Sequence, residues 1–209
     1  MRLYDISQPI SSAIANWPGD QPYRLEWTLR QDRGDSVNVA AVTMSVHTGT
    51  HVDAGHHVLA SGQRAADLPL ERFLGPAVVV DALGLDRLDE RVLDRFEIAQ
   101  AERVLFRTRE RAAASEFPRE FLSPTPELAR RLVEAGVVLV GTDAPSVDPQ
   151  DSKTLDTHRV LVEGGVAILE NLALAAVKPG TYTLVALPLK LTEADGSPVR
   201  AVLIDGSLT

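Results

Sequence analysis

Residues 36–57 read SVNVAAVTMSVHTGTHVDAGHH. In the first half Ala40, Val42, Met44 and Val46 fall on one side of an extended chain, with Thr43, Ser45 and His47 on the other. That alternation predicts a strand over 36–47 that delivers His47 at its end. The second half holds four of the five histidines of the chain, with Asp53 among them. A strand running into a histidine cluster frames both the fold and the chemistry.

Outward from this stretch the chain stays rich in strand signals. PAVVVDAL from Pro76, RVLFRT from Arg103, VVLVGTD from Val137, VAILENL from Val166, TYTLVALPLKL from Thr181 and RAVLID from Arg200 all read as β. Helical signals are fewer. SPTPELARRLVEAG offers Ser123 or Thr125 as cap, Pro126 in the first turn, apolar Leu128, Leu132 and Val133, and Gly136 as the stop. LDTHRVLVEGG predicts a second helix with Leu155, His158 and Val162 on one face, ended by Gly164 and Gly165. Residues 110–118 read as a surface loop. The expected fold class is a strand-rich α/β single domain with few helices.

Bulk composition narrows the function. With 209 residues and 44% hydrophobic content the chain can build one sizeable core. The balance is acidic, 29 Asp plus Glu against 21 Lys plus Arg, and no basic stripe is present to neutralise a phosphate backbone, which argues against a nucleic-acid partner. There is no cysteine, so any metal must rest on imidazole and carboxylate. No apolar run nears a membrane span and the N-terminus MRLYDISQPI does not resemble a signal peptide; a soluble cytoplasmic protein is expected, with no membrane partner.

His47, His51 and Asp53 have the spacing H-x-x-x-H-x-D. On a straight strand the two histidines would lie some 13 Å apart at about 3.3 Å per residue, too far to share an ion that needs roughly 2.0 to 2.2 Å to each ligand. The chain must turn at Thr48-Gly49-Thr50, where one helix-like turn would put both imidazoles on a common face. A lone histidine is usually structural, but several imidazoles packed with a carboxylate are costly without a compensating cation, which favours a metal site here. His158 and Glu170 are different. Taken alone, His158 reads as a helix-surface histidine and Glu170 as a carboxylate at the strand rim, although at the end of VAIL it is costly unless ionically paired.

HTGTHVDAGHHV resembles the H-x-G-T-H-x-D-x-P-x-H signature of the metal-dependent cyclase-like hydrolases. WPGD at 17–20, GTDAPSVD at 141–148, HRVLVEGGVAILENL from His158 and LPLKLTEADGSPVRAVL from Leu187 are similar, in order and spacing, to the bacterial kynurenine formamidase branch. The resemblance covers nearly the whole chain and implies one cyclase-like domain over 1–209, β-barrel-like (swivelling β/β/α type), commonly a homodimer. It implies two zinc ions, with His47, His51 and Asp53 matching ligands of the first, His158 a ligand of the second, and Asp53 and Glu170 carboxylates shared by both. Manganese or cobalt would also suit such ligands. His57 matches the catalytic acid/base and Trp17 an aromatic substrate contact.

The implied reaction is hydrolysis of N-formyl-L-kynurenine to L-kynurenine and formate, a step of tryptophan degradation, by cation-activated hydroxide with a histidine acid/base. A related hydrolase opening the ring of isatin, or a non-catalytic metal-binding protein, are the alternatives. A serine mechanism is set aside because no G-x-S-x-G occurs. One departure stands out: Gly55 occupies the motif's proline position, followed by an extra histidine. Glycine is expected to loosen the turn that aims His57, making His56 a competing candidate.

Overall fold

Apolar residues in period two supply the main sheet. In the computed structural model, which describes residues 1–95, 101–111 and 116–206, eleven strands form. They are β1 (Arg2–Asp5), β2 (Arg24–Leu29), β3 (Val39–Thr43), β4 (His51–Asp53), β5 (Leu74–Asp81), β6 (Arg103–Arg107), β7 (Leu139–Thr142), β8 (Ala167–Glu170), β9 (Gly180–Val185), β10 (Gly196–Pro198) and β11 (Val202–Asp205). Nine of them make one curled, half-barrel sheet in the order β1-β11-β9-β5-β6-β7-β8-β4-β10. Its centre, β5 to β8, is parallel, and its flanks are antiparallel.

Parallel neighbours need crossovers, and the two α-helices among the described residues supply two of the three: α1 (Pro126–Glu134) between β6 and β7, and α2 (Asp156–Glu163) between β7 and β8. Thr125, not Ser123, caps α1, its hydroxyl accepting from the Leu128 amide at 3.2 Å. The two faces of each strand then bury in different cores. Val80, Val104, Phe106, Val140 and Ile168 meet Leu128 and Leu132 of α1 and Leu161 of α2 on one side. Val79, Leu105, Leu139, Leu169, Leu184 and Leu203 pack together on the other.

The strand expected over 36–47 needs correcting. It stops at Thr43, four residues short of His47, and pairs with β2 in a separate two-stranded sheet. Its alternation is real, but the apolar face is not core. Leu25 lies opposite Val42 and Trp27 opposite Ala40, and Trp27 and Val42 are 50% and 52% exposed. The strand expected through Leu191 also ends early, at Val185, ahead of Pro188, which has no amide proton for a ladder. Of the loop expected over 110–118, residues 112–115 lie outside the described residues.

Candidate metal centre

The register of three strands builds the centre. His51 and Asp53 share one face of β4, and β8 runs antiparallel beside it with Glu170 directly opposite His51. On the other flank Gly196 of β10 lies opposite Asp53, where an added Cβ would come within 2.8 Å of the His47 ring. A glycine there lets His47 close over the strand. His47 is carried by the turn after β3: the Thr48 amide donates to Ser45 O at 3.2 Å, and Gly49 takes φ 66. The chain does turn between the histidines, but through left-handed Gly49 rather than a helical turn. The two rings end with centroids 5.0 Å apart.

His158 and Glu170, read from sequence as surface and rim residues, are both buried. α2 carries His158 against the strand end, where its Nε2 lies 3.3 Å from Asp53 Oδ2 and 3.4 Å from Glu170 Oε1. Across the nest, His51 Nε2 lies 3.4 Å from both Asp53 Oδ1 and Glu170 Oε2. Each carboxylate thus turns one oxygen toward each histidine. Two ligands about 2.1 Å from a tetrahedral ion sit roughly 3.4 Å from one another, so these spacings fit ligands around a cation as well as they fit ion pairs. Asp53 Oδ2 supports the same reading, being buried with no aligned hydrogen bond among the described residues. His47 Nδ1, 2.9 Å from Asp53 Oδ1, completes the group.

Two further carboxylates, to which sequence reading assigned no role, orient the imidazoles. Asp148 accepts from His158 Nδ1 at 2.7 Å and from the His158 and Thr157 amides at 2.9 and 3.1 Å, directing Nε2 at the nest. Asp195 lies 3.2 Å from His47 Nε2 and 3.3 Å from His57 Nδ1. His51 is oriented by a carbonyl, Gly49 O, 2.9 Å from its Nδ1. Only their place in the quoted blocks GTDAPSVD and LTEADGSP marked Asp148 and Asp195 out.

His57 and His56 separate cleanly. His57 faces the cleft, its ring centroid 4.4 Å from that of His47 and 5.7 Å from that of His158. His56 does not line the cleft. Nor is the turn at Gly55 loose: the His57 amide donates to Ala54 O at 2.9 Å, the His56 amide to Gln63 O at 3.0 Å and the Leu59 amide to Gly55 O at 2.9 Å. Gly62 packs so closely that a Cβ on it would fall 2.1 Å from the Gly55 carbonyl carbon. Hydrogen bonding and a second glycine hold what proline would have stiffened.

Burial opposes charge on His47, yet Asp195 and Asp53 outweigh it and raise its pKa to about 10. For His51 the same contest, with Asp53 and Glu170 as partners, ends at about 9. Burial also opposes charge on His158, but Asp148, Asp53 and Glu170 raise its pKa well above the usual imidazole value. Burial would raise Asp53, but the three histidines hold it well below the usual carboxylate range. The nest demands positive charge.

The nest opens into a cleft of about 530 Å³ at the carboxyl ends of the parallel strands, where open α/β sheets bind ligands. Trp17, 37% exposed, lines it, and Phe117 meets it edge-on at 5.1 Å between centroids. Phe117 went unnoticed in the sequence because nothing local ties it to residue 17.

The family model described as a putative cyclase matches residues 4–149. The kynurenine formamidase of Bacillus mycoides (strain KBAB4) is 45% identical over 199 residues, 95% of each chain. The chain belongs to the cyclase family. Among solved structures, this cyclase is similar to a potential metal-dependent hydrolase with cyclase activity, with a TM-score of 0.85, 29% identity and coverage of 99% and 98% of the two chains. It is also similar to isatin hydrolase A from Labrenzia aggregata, with a TM-score of 0.82, 25% identity and coverage of 98% and 94%. Metal-dependent relatives and a histidine–carboxylate nest agree on a metal ion as cofactor.

Proposed function

We propose that this cyclase hydrolyses N-formyl-L-kynurenine to L-kynurenine and formate, serving tryptophan degradation in the cytoplasm. The observation that carries the reading is one cleft that joins the histidine–carboxylate nest to an aromatic wall, in a chain 45% identical to a kynurenine formamidase over 95% of its length. An aryl formamide needs both parts.

The ligand set we assign is His47, His51, Asp53 and Glu170 for one zinc ion and His158, Asp53 and Glu170 for a second. The support is the division of each carboxylate's oxygens between His51 and His158. Bound there, zinc supplies Lewis acidity toward the formyl oxygen and a water nucleophile near neutral pH. The remaining work falls to side chains. Trp17 and Phe117 hold the aryl ring. His57 lines the cleft, is more exposed than the nest histidines and is hydrogen-bonded through Nδ1 to Asp195. It takes the proton of the attacking water and returns it to the aniline nitrogen as the carbon–nitrogen bond breaks. Formate and the free arylamine leave.

For the assembly we propose a homodimer through the β2–β3 hairpin. A two-stranded sheet is marginal by itself, and this one exposes Leu25, Trp27, Leu29, Val39 and Val42.

Isatin hydrolysis is the second reading, favoured by the structural likeness to isatin hydrolase A. Purified, metal-analysed protein given N-formylkynurenine, isatin and simple formanilides separates the two. Formate release from the formamides with little ring opening is expected; ring opening of isatin without formate release would replace the proposal.

A further inference from the structure

Arg109 lines the same cleft and has no part in the chemistry described so far. It follows β6, and its backbone is gripped: Asp143, buried at the end of β7, accepts from the Arg109 amide at 3.1 Å and from the Thr108 amide at 2.9 Å. The guanidinium is treated differently. Among the described residues it forms no ion pair, and its buried Nη2 has no hydrogen-bond partner. Asp143, the anion that acts on it through space, is occupied by backbone amides and the Thr108 hydroxyl. A half-buried guanidinium with an unused donor is costly, and proteins keep such groups where a planar anion will meet them. Lys153, the other cation lining the cleft, is exposed and can stay solvated.

Resting on the formamidase reading, we propose that Arg109 recognises a carboxylate on the substrate's aliphatic arm. The cleft is thereby selective for aryl formamides that are also amino acids. The nest takes the formyl group, Trp17 and Phe117 take the ring, and the guanidinium takes the far end in a paired, charge-assisted contact. Isatin and simple formanilides lack that carboxylate. Arg109 therefore separates substrates that the metal-binding residues alone cannot discriminate.

The test uses metal-loaded wild-type, Arg109→Met and Arg109→Lys proteins with N-formyl-L-kynurenine and with ortho-formamidoacetophenone, which keeps the formanilide and lacks the amino-acid arm. Arg109→Met is expected to raise KM for the first on the order of 10- to 100-fold and to leave the second within about twofold, with Arg109→Lys between. Equal losses on both substrates, or no loss on either, would overturn the assignment. Calorimetry with L-kynurenine and its carboxamide decides the same point without turnover. Wild type should prefer the acid by about tenfold or more and Arg109→Met should not. If no formate is released from either substrate, the formamidase reading fails; a carboxylate preference lost in Arg109→Met would still uphold the role of Arg109, and equal or absent binding would overturn it.

Discussion

His56 and His57 have the same side chain and different surroundings, and the difference can be tested directly. His57→Ala should keep the bound metal and the fold while losing roughly 10²- to 10⁴-fold in turnover, and His56→Ala should change turnover little. Activity assays beside elemental analysis check this; a fully active His57→Ala protein with an inactive His56→Ala would move the acid/base by one position. A second expectation follows from the histidines themselves. The pKa values of about 10 for His47 and about 9 for His51 in the folded chain lie above the ordinary 6.5, so their contribution to stability is complete below pH 6.5 and fades as pH rises through 9 to 10. Chelated protein should therefore melt at falling temperatures across that window, while metal-loaded protein, whose imidazoles are deprotonated ligands, should change far less. A metal-free melting temperature that stays flat would contradict the charge balance of the nest. At this scale His47, His51 and Asp53 were legible from spacing alone. His158 and Glu170 were legible only through resemblance, because a histidine in a helix and a glutamate after VAIL carry no local sign that tertiary packing will bury them together.

The elements themselves show why some were readable and others not. β5 to β8 announce themselves because both faces are buried, which makes their sequences continuously apolar. β4 and β10 are three residues each, too short for a pattern, yet they carry His51, Asp53 and Gly196. β1 and β2 were not read either: in β1 Leu3 is exposed and Tyr4 only half-buried, and β2 is exposed throughout. α2 depends on the loop before it, which brings Asp148 to His158 and begins the helix from Leu155 at φ 51, an uncommon conformation for a leucine. Asp148→Ala should free the His158 ring and weaken metal affinity by about 10- to 100-fold without removing a ligand. Competition with a chelator of known affinity measures that, and an unchanged affinity would show that α2 alone positions the ring.

Over the whole molecule, the sheet divides the expected single core in two, and the apolar strip on the β2–β3 hairpin lies outside both. Sequence pattern shows that such residues alternate but not what they face, and Val42 faces solvent. Replacing Trp27 and Val42 together by glutamate should leave the nest intact and convert a dimer to monomer in sedimentation velocity. A wild-type protein that sediments as a monomer would remove the homodimer proposal. Metal binding and reaction meet in the nest, and a single titration tests both. Protein stripped by chelation is given zinc in increments, and formate release from N-formyl-L-kynurenine is followed against metal bound per chain. No release is expected without metal, and full activity at two ions per chain; full activity in the stripped protein, or saturation with formate still absent, would contradict a metal-dependent formamidase.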